Sequence, residues 1–145
     1  MRRQNQGCTK GGVLVGRAKM PDSPQILLAE NDESLNEVVA TALARQGFTY
    51  ATAHTGDEAI ERAYRLKPQV VLLDTHLPGQ SGYLVAGKLK IAAPSPKIVL
   101  MTSLPRGQSD RMAQFVGADA ILHKPFAIAK LLTTLERLLK RAHAA

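Results

Sequence analysis

Short apolar runs alternate with longer stretches of helical periodicity along this chain. The runs lie at 25–29, 48–53, 70–73, 97–101 and 118–123. After each run, apolar residues recur at helical spacing, as in a helix that packs one face against a core. The pattern therefore predicts five strands, each followed by a helix.

Capping and breaking residues mark the helix boundaries. Ser34 and Thr55 are each followed three residues later by a glutamate, which is the arrangement of a capping box. Gly47 ends the first helical pattern and Pro68 the second, because glycine adopts the left-handed C-terminal conformation and proline cannot continue a helix. We therefore expect Ser34 and Thr55 to cap the first two helices.

Repeated strand–helix units with short connections predict a parallel sheet covered by helices on both faces. About 120 periodic residues are too few for a closed eight-stranded barrel. The predicted fold class is therefore α/β: a doubly wound, five-stranded parallel sheet in a three-layer α/β/α sandwich. A strand order of 2-1-3-4-5 would place the first and third strands on either side of the switch-point crevice.

The stretch Val70–Gly82 carries the clearest chemical signal. Four apolar residues lead directly into Asp74, and the turn-forming pair Pro78–Gly79 follows. An unbroken apolar run of this length is typical of a strand buried on both faces. Asp74 is therefore predicted at the carboxyl end of the strand, where open α/β sheets bind ligands. Taken alone, Asp74 is equally consistent with a turn or helix-capping acid.

Composition narrows the class of protein. A chain of 145 residues with 45% hydrophobic and 21% charged residues fits one globular domain. Cys8 is the only cysteine, which excludes an internal disulfide and a cysteine-based metal site. The apolar segment Val13–Val15 is too short for a signal-peptide core or a membrane span. We therefore expect a soluble, cytoplasmic protein without membrane association.

The net charge of +7 is unevenly distributed. Residues 1–23 contain five basic side chains and one acid, or +4, whereas the remaining 14 basic and 11 acidic side chains give +3. We interpret residues 1–23 as a disordered basic extension, with a nucleic-acid arm as the alternative. Nucleic-acid binding is not favoured, because no aromatic residues are interleaved with the charges. Met20 also offers an alternative start for the native protein.

Four of the five predicted strands end in a polar residue: Glu30, Asp74, Thr102 and Lys124 after the first, third, fourth and fifth. The carboxyl ends of parallel strands share one edge, so these side chains are predicted to converge. Two carboxylates, a hydroxyl and an ammonium are costly to bring together without a function. The structural alternatives are a capping role for Glu30, a turn role for Thr102 and a solvated Lys124.

Residues 25–143 resemble the receiver domain of bacterial response regulators, which has a CheY-like, flavodoxin-like fold. The motifs that carry the resemblance are ILLAEND at the first strand, VVLLDTHLPGQSG at the third, IVLMTS at the fourth and GADAILHKPF at the fifth. They occur in the family's order and spacing, and we place the receiver domain at 24–143. The resemblance implies a phosphoacceptor signalling domain of a two-component system rather than an enzyme.

The resemblance also implies a role for each matching residue. Asp74 would be the phosphoacceptor, Thr102 would bond a phosphoryl oxygen, and Lys124 would pair with the phosphoryl group. Pro125 would follow Lys124 through a cis peptide bond. These are the residues that would take part in phosphotransfer.

The implied cofactor is Mg²⁺, held by Glu30, Asn31, Asp74 and the backbone carbonyl of His76. Mg²⁺ prefers a few carboxylates with phosphate oxygens and retained waters. Asn31 is neutral where the family has a second acid, which predicts weakened metal binding. Asp32, the next residue, is a possible substitute.

Two functional hypotheses follow from the resemblance. In the first, a sensor histidine kinase or histidine phosphotransfer protein phosphorylates Asp74. A stand-alone response regulator, or a fragment of a longer protein, then signals to a downstream protein or forms a homodimer. The family's signalling face corresponds to Arg106–Phe115 and Ala118–Leu122.

In the second hypothesis, Asn31 and Ile121 mark a degenerate receiver that acts as a phosphorylation-independent interaction or dimerisation module. Ile121 stands where the family often has an aromatic switch residue. A flavin-binding carrier of the same topology is disfavoured, because Glu30 and Asp32 would repel the flavin phosphate.

Overall fold

The computed structural model describes residues 13–14 and 23–144. The strands of the central sheet are β1 Ile26–Ala29, β2 Tyr50–Ala53, β3 Val70–Asp74, β4 Lys97–Thr102 and β5 Ala120–His123. The helices are α1 Glu33–Arg45, α2 Gly56–Leu66, α3 Gly82–Ile91, α4 Arg106–Val116 and α5 Ile128–Ala144. Within the described residues, no helix combines the length and hydropathy that crossing a bilayer requires.

The five strands pair in parallel in the order β2-β1-β3-β4-β5, which confirms the predicted 2-1-3-4-5 topology. A two-residue strand, Val13–Leu14, adds to the outer edge of β2 in antiparallel orientation. The sequence pattern did not predict this pairing. Apart from Val13, Leu14 and Ser23, the extension predicted to be disordered (1–23) lies outside the described residues.

Alternation along the strands divides the hydrophobic core between the two faces of the sheet. On β3, Val71 and Leu73 pack with apolar residues of α2, α3 and α4, whereas Val70 and Leu72 pack with residues of α1 and α5. All four side chains are fully buried. Because helices cover both faces, β3 is apolar at consecutive positions.

The helix starts differ in part from the prediction. Asp32, rather than Ser34, caps α1: its carboxylate accepts hydrogen bonds from the N–H groups of Ser34 and Leu35 at 2.9 and 3.2 Å. The predicted cap at Ser34 was therefore wrong, and Ser34 lies inside the helix. The Thr55 cap is confirmed, because its hydroxyl accepts from the Glu58 N–H at 3.1 Å.

Gly82 fixes the start of α3 against the end of β3. Its N–H donates to the Thr75 carbonyl at 3.1 Å, and a Cβ atom at this position would collide with the Asp74 carbonyl oxygen. Glycine is therefore required by the close approach of two backbone segments. By contrast, a Cβ atom at Gly87 in the same helix would meet nothing within 4 Å.

This contrast makes a matched pair of substitutions. Gly82→Ala should lower the free energy of unfolding by roughly 1–3 kcal/mol through overpacking, whereas Gly87→Ala should raise it by roughly 0.5–1 kcal/mol through helix propensity. Urea unfolding followed by circular dichroism measures both. Equal effects of the two substitutions would contradict the close packing at Gly82.

Candidate functional site

The carboxyl ends of β1, β3 and β5 bring three of the predicted site residues into contact. Lys124 Nζ lies 3.1 Å from Glu30 Oε1 and 3.4 Å from Asp74 Oδ1. Glu30 is fully buried and Asp74 is 5% exposed. The ammonium therefore links one carboxylate that follows the first strand with another that ends the third, and it reduces the cost of burying both charges.

Each carboxylate also accepts a backbone N–H from two residues further along the chain. The Asp32 N–H donates to Glu30 Oε2 at 3.0 Å, and the His76 N–H donates to Asp74 Oδ1 at 3.0 Å. The His76 N–H and the Lys124 ammonium both donate to Oδ1 of Asp74. Neither of these two hydrogen bonds uses Asp74 Oδ2.

Burial raises the pKa of the Glu30 carboxyl above its usual value of 4.5, and the charge of Asp74 adds to the increase. The Asp32 N–H and the Lys124 ammonium oppose this shift. The net direction shows that desolvation and repulsion outweigh the favourable contacts at Glu30.

A cavity of about 380 Å³ opens above these carboxylates. It is lined by Glu30, Asn31, Asp32, Asp74, Thr75, His76, Ser103, Leu104 and Lys124. All the predicted metal-site residues therefore lie at one cavity, together with the predicted phosphoacceptor and lysine. The peptide bond between Lys124 and Pro125 is cis, as the resemblance implied.

Thr102 is the exception among the predicted residues. It is fully buried and does not line the cavity. Its Oγ1 accepts hydrogen bonds from the Thr75 hydroxyl and the Leu104 N–H, both at 3.0 Å. Sequence reasoning missed Thr75, although strand alternation after Asp74 and the parallel register between β3 and β4 place it beside Thr102.

The loop between β3 and α3 is fastened to the start of α2. The Gly56 N–H donates to the Pro78 carbonyl at 3.0 Å, and the Gln80 amide donates to the Asp57 carboxylate at 2.5 Å. Lys88 of α3 donates to Gln80 Oε1 at 2.6 Å. Contacts from two helices therefore hold this side of the cavity.

The donor set at the cavity fits Mg²⁺. The residues that would hold it are Glu30 and Asp74 through carboxylate oxygens, Asn31 through its amide and His76 through its backbone carbonyl, and all four line the cavity. Oxygen donors of this kind suit a hard cation that keeps several waters. No group of three or more histidine, cysteine, aspartate or glutamate side chains suited to a metal occurs within the described residues. Asp32 lines the cavity, but its Oδ1 caps α1.

The predicted signalling face lies beside this site. Ile121 is half-buried and packs on the core beneath α2, α3 and α4. His123, the last residue of β5, places Nε2 3.3 Å from Asp110 Oδ1 of α4. On the same helix, Phe115 is 86% exposed.

Residues 26–136 match the family model described as the response regulator receiver domain. The chain belongs to this family. Receiver domains are signalling domains, generally not enzymes, that interact with histidine kinases and are generally Mg²⁺-dependent. The sheet order, the motif order and the cavity at the carboxyl edge all agree with this membership.

Similar proteins include longer regulators. The receiver is 37% identical over 120 residues to the transcriptional activator protein PfeR of Pseudomonas aeruginosa, covering 82% of this chain and 39% of PfeR. It is 32% identical over 120 residues to the response regulator MprA of Mycobacterium ulcerans, covering 82% of this chain and 51% of MprA. The chain thus spans about half or less of the length of these curated relatives.

A solved structure also matches the receiver. The BeF3-activated N-terminal receiver domain of Klebsiella pneumoniae RstA is 31% identical, with a TM-score of 0.74. The match covers 79% of this chain and 97% of that one.

The raised pKa of Glu30 predicts a pH-dependent stability. The folded state holds the Glu30 proton more tightly than the unfolded state. The resulting stabilisation is therefore present below pH 4.5 and is lost as the pH rises through the raised folded pKa. Glu30→Gln mimics the protonated form and should remove this loss, so its stability relative to the natural chain should increase across that interval.

Urea unfolding at a series of pH values measures this difference. Glu37→Gln, on the exposed side of α1, is the control for replacing an acid by its amide. A constant difference between the Glu30→Gln variant and the natural chain across the interval would contradict the pKa direction.

Proposed function

We propose that this receiver accepts a phosphoryl group on Asp74 from a sensor histidine kinase or a histidine phosphotransfer protein. The observation that carries the proposal is the contact of Lys124 with both Glu30 and Asp74 at an open cavity. A nucleophilic carboxylate and a cation for the transferring group therefore lie side by side.

The chemistry is nucleophilic attack at phosphorus. Asp74 Oδ2 forms a P–O bond while the P–N bond to the donor imidazole breaks, which gives an acyl phosphate and a histidine that takes up a proton. Negative charge spreads over the phosphoryl oxygens during transfer. One unit-charge pair at about 4 Å is worth roughly 4 kcal/mol at an effective dielectric near 20, and the Lys124 ammonium lies at about this distance from Asp74.

When bound by Glu30, Asn31, Asp74 and the His76 carbonyl, Mg²⁺ supplies further positive charge. The neutral Asn31 makes that binding weak, since changing even an outer partner of a metal ligand costs roughly 10–100-fold in affinity. Lys124 therefore supplies a larger share of the positive charge in this receiver than in a receiver with a second acid at the position of Asn31.

The signal leaves through the face formed by α4 and β5. The contact between His123 and Asp110 connects the end of β5 to α4, and the same helix exposes Phe115 and Met112. An exposed aromatic residue is a common anchor for a protein partner. A separate protein, a second receiver or an output domain such as those of longer regulators would use the same face.

A degenerate receiver that acts without phosphate is the second candidate. Asn31 at the cavity and the non-aromatic Ile121 favour it. Metal affinity separates the two candidates: Mg²⁺ binding at millimolar concentration or tighter supports phosphorylation, and no detectable binding supports the degenerate module.

Phosphorylation gives the first test. Incubation with a small phosphodonor and Mg²⁺ should add one phosphate, and Asp74→Ala should abolish the addition because the attacking carboxylate is gone. Intact-protein mass spectrometry measures the added mass. Glu136→Ala removes an exposed acid of α5 that does not line the cavity and should still be labelled. Labelling that persists in the Asp74→Ala variant would refute the proposal.

Restoring the second acid gives another test. Asn31→Asp should tighten Mg²⁺ binding by roughly tenfold or more, because a carboxylate replaces a neutral amide. Isothermal titration calorimetry measures the affinity. Gln114→Glu adds the same charge on the exposed side of α4 and controls for net charge. An unchanged affinity in the Asn31→Asp variant would exclude Asn31 from the metal site.

A further inference from the structure

A row of polar side chains crosses the carboxyl edge of the sheet on the side of α3 and α4. Alternation after Leu73 and Leu100, which pack on that side, places Thr75 and Thr102 there. His123 is the register partner of Thr102 on β5 and contacts α4. Asp74 follows the opposite alternation and belongs to the side of α1 and α5.

The Thr75–Thr102 contact is a buried hydroxyl pair. The Thr75 O–H donates to Thr102 Oγ1 at 3.0 Å, with Thr75 6% exposed and Thr102 fully buried. The Leu104 N–H donates to the same oxygen at 3.0 Å. A hydroxyl oxygen has two lone pairs, so both acceptor positions of Thr102 are occupied.

We propose that Thr75 is a positioning residue that holds Thr102 in its resting position and opposes its movement toward a phosphoryl group on Asp74. The proposal depends on the phosphorylation of Asp74 proposed above. Thr102 does not line the cavity, so its side chain must turn toward Asp74 to donate to a phosphoryl oxygen there. That turn would leave the buried Thr75 hydroxyl without its partner, which is unfavourable.

The hydrogen bond between Thr75 and Thr102 therefore shifts the equilibrium between the resting and the activated receiver toward the resting state. A group that stabilises only the resting state weakens any ligand that requires the activated one. Thr75 would thus lower the apparent affinity for a phosphoryl group by holding Thr102 away from it. Thr75→Val keeps the shape and removes the hydroxyl, and Thr75→Ser keeps the hydroxyl.

Beryllofluoride with Mg²⁺, a mimic of the phosphoryl group, tests this. The Thr75→Val variant should bind it roughly three- to tenfold more tightly than the natural chain, the equivalent of one hydrogen bond lost from the resting state. Thr75→Ser should bind like the natural chain. Thr134→Val is the matched control, because Thr134 is similarly buried, at 8% exposure, and its hydroxyl donates to Lys130 within α5.

Two further measurements show whether Thr75 acts through Thr102. In a Thr102→Ala background, Thr75→Val should change the affinity no further. In the ligand-free chain, Thr75→Val should shift or broaden the methyl NMR signal of Thr102, whereas Thr134→Val should not.

The possible failures are distinguishable. No beryllofluoride binding by the natural chain would overturn the proposed function and this inference with it. Binding by the natural chain that Thr75→Val leaves unchanged or weakens would overturn the inference alone. The inference alone would also be overturned if Thr75→Val changed the affinity equally in the natural chain and in the Thr102→Ala background. An unchanged Thr102 methyl signal in the Thr75→Val variant would overturn it too.

Discussion

The structure depends on an ammonium shared by two buried carboxylates. Glu30 has no solvent exposure, and Asp74 has almost none. Without Lys124, two negative charges would be held together in a medium that stabilises them poorly. The contact also joins three strands that are not consecutive in the chain, so the chemistry of the cavity requires the parallel sheet to be complete.

The sheet imposes this arrangement through two simple rules. Parallel pairing puts the carboxyl ends of β1, β3 and β5 at one edge, and alternation decides to which side of the sheet each final side chain belongs. Asp74 and Thr75 are adjacent in sequence but belong to opposite faces of the sheet. The charged group of Asp74 therefore lies on the side of α1 and α5, whereas the hydroxyl groups of Thr75 and Thr102 lie on the side of α3 and α4.

Much of this could be predicted from sequence, because apolar periodicity records burial directly. The convergence of Glu30, Asp74 and Lys124 at one edge follows from buried parallel strands that end in polar residues. The strand order was expected because it is common in doubly wound folds, and apolar periodicity alone does not determine it. The α1 cap could not be identified from the sequence, since Asp32 and Ser34 are both good capping residues. The turn after β1 decides between them, because Glu30 binds the Asp32 N–H.

Other features were hidden for different physical reasons. The strand Val13–Leu14 is too short to show alternation, and only an open sheet edge selects it. Thr75 looks like an ordinary residue after a strand until the register with β4 gives it a partner. A polar residue acquires its role from the residue across the sheet, which a linear pattern does not reveal.

The fastened loop between β3 and α3 has a mechanical consequence. Hydrogen bonds with Gly56 and Asp57 of α2 and with Lys88 of α3 hold the loop on one side of the cavity. The opposite side of the cavity, at Ser103 and Leu104, is exposed. We therefore expect a displacement that begins at the cavity to move the exposed segment that leads into α4 more readily than the loop between β3 and α3.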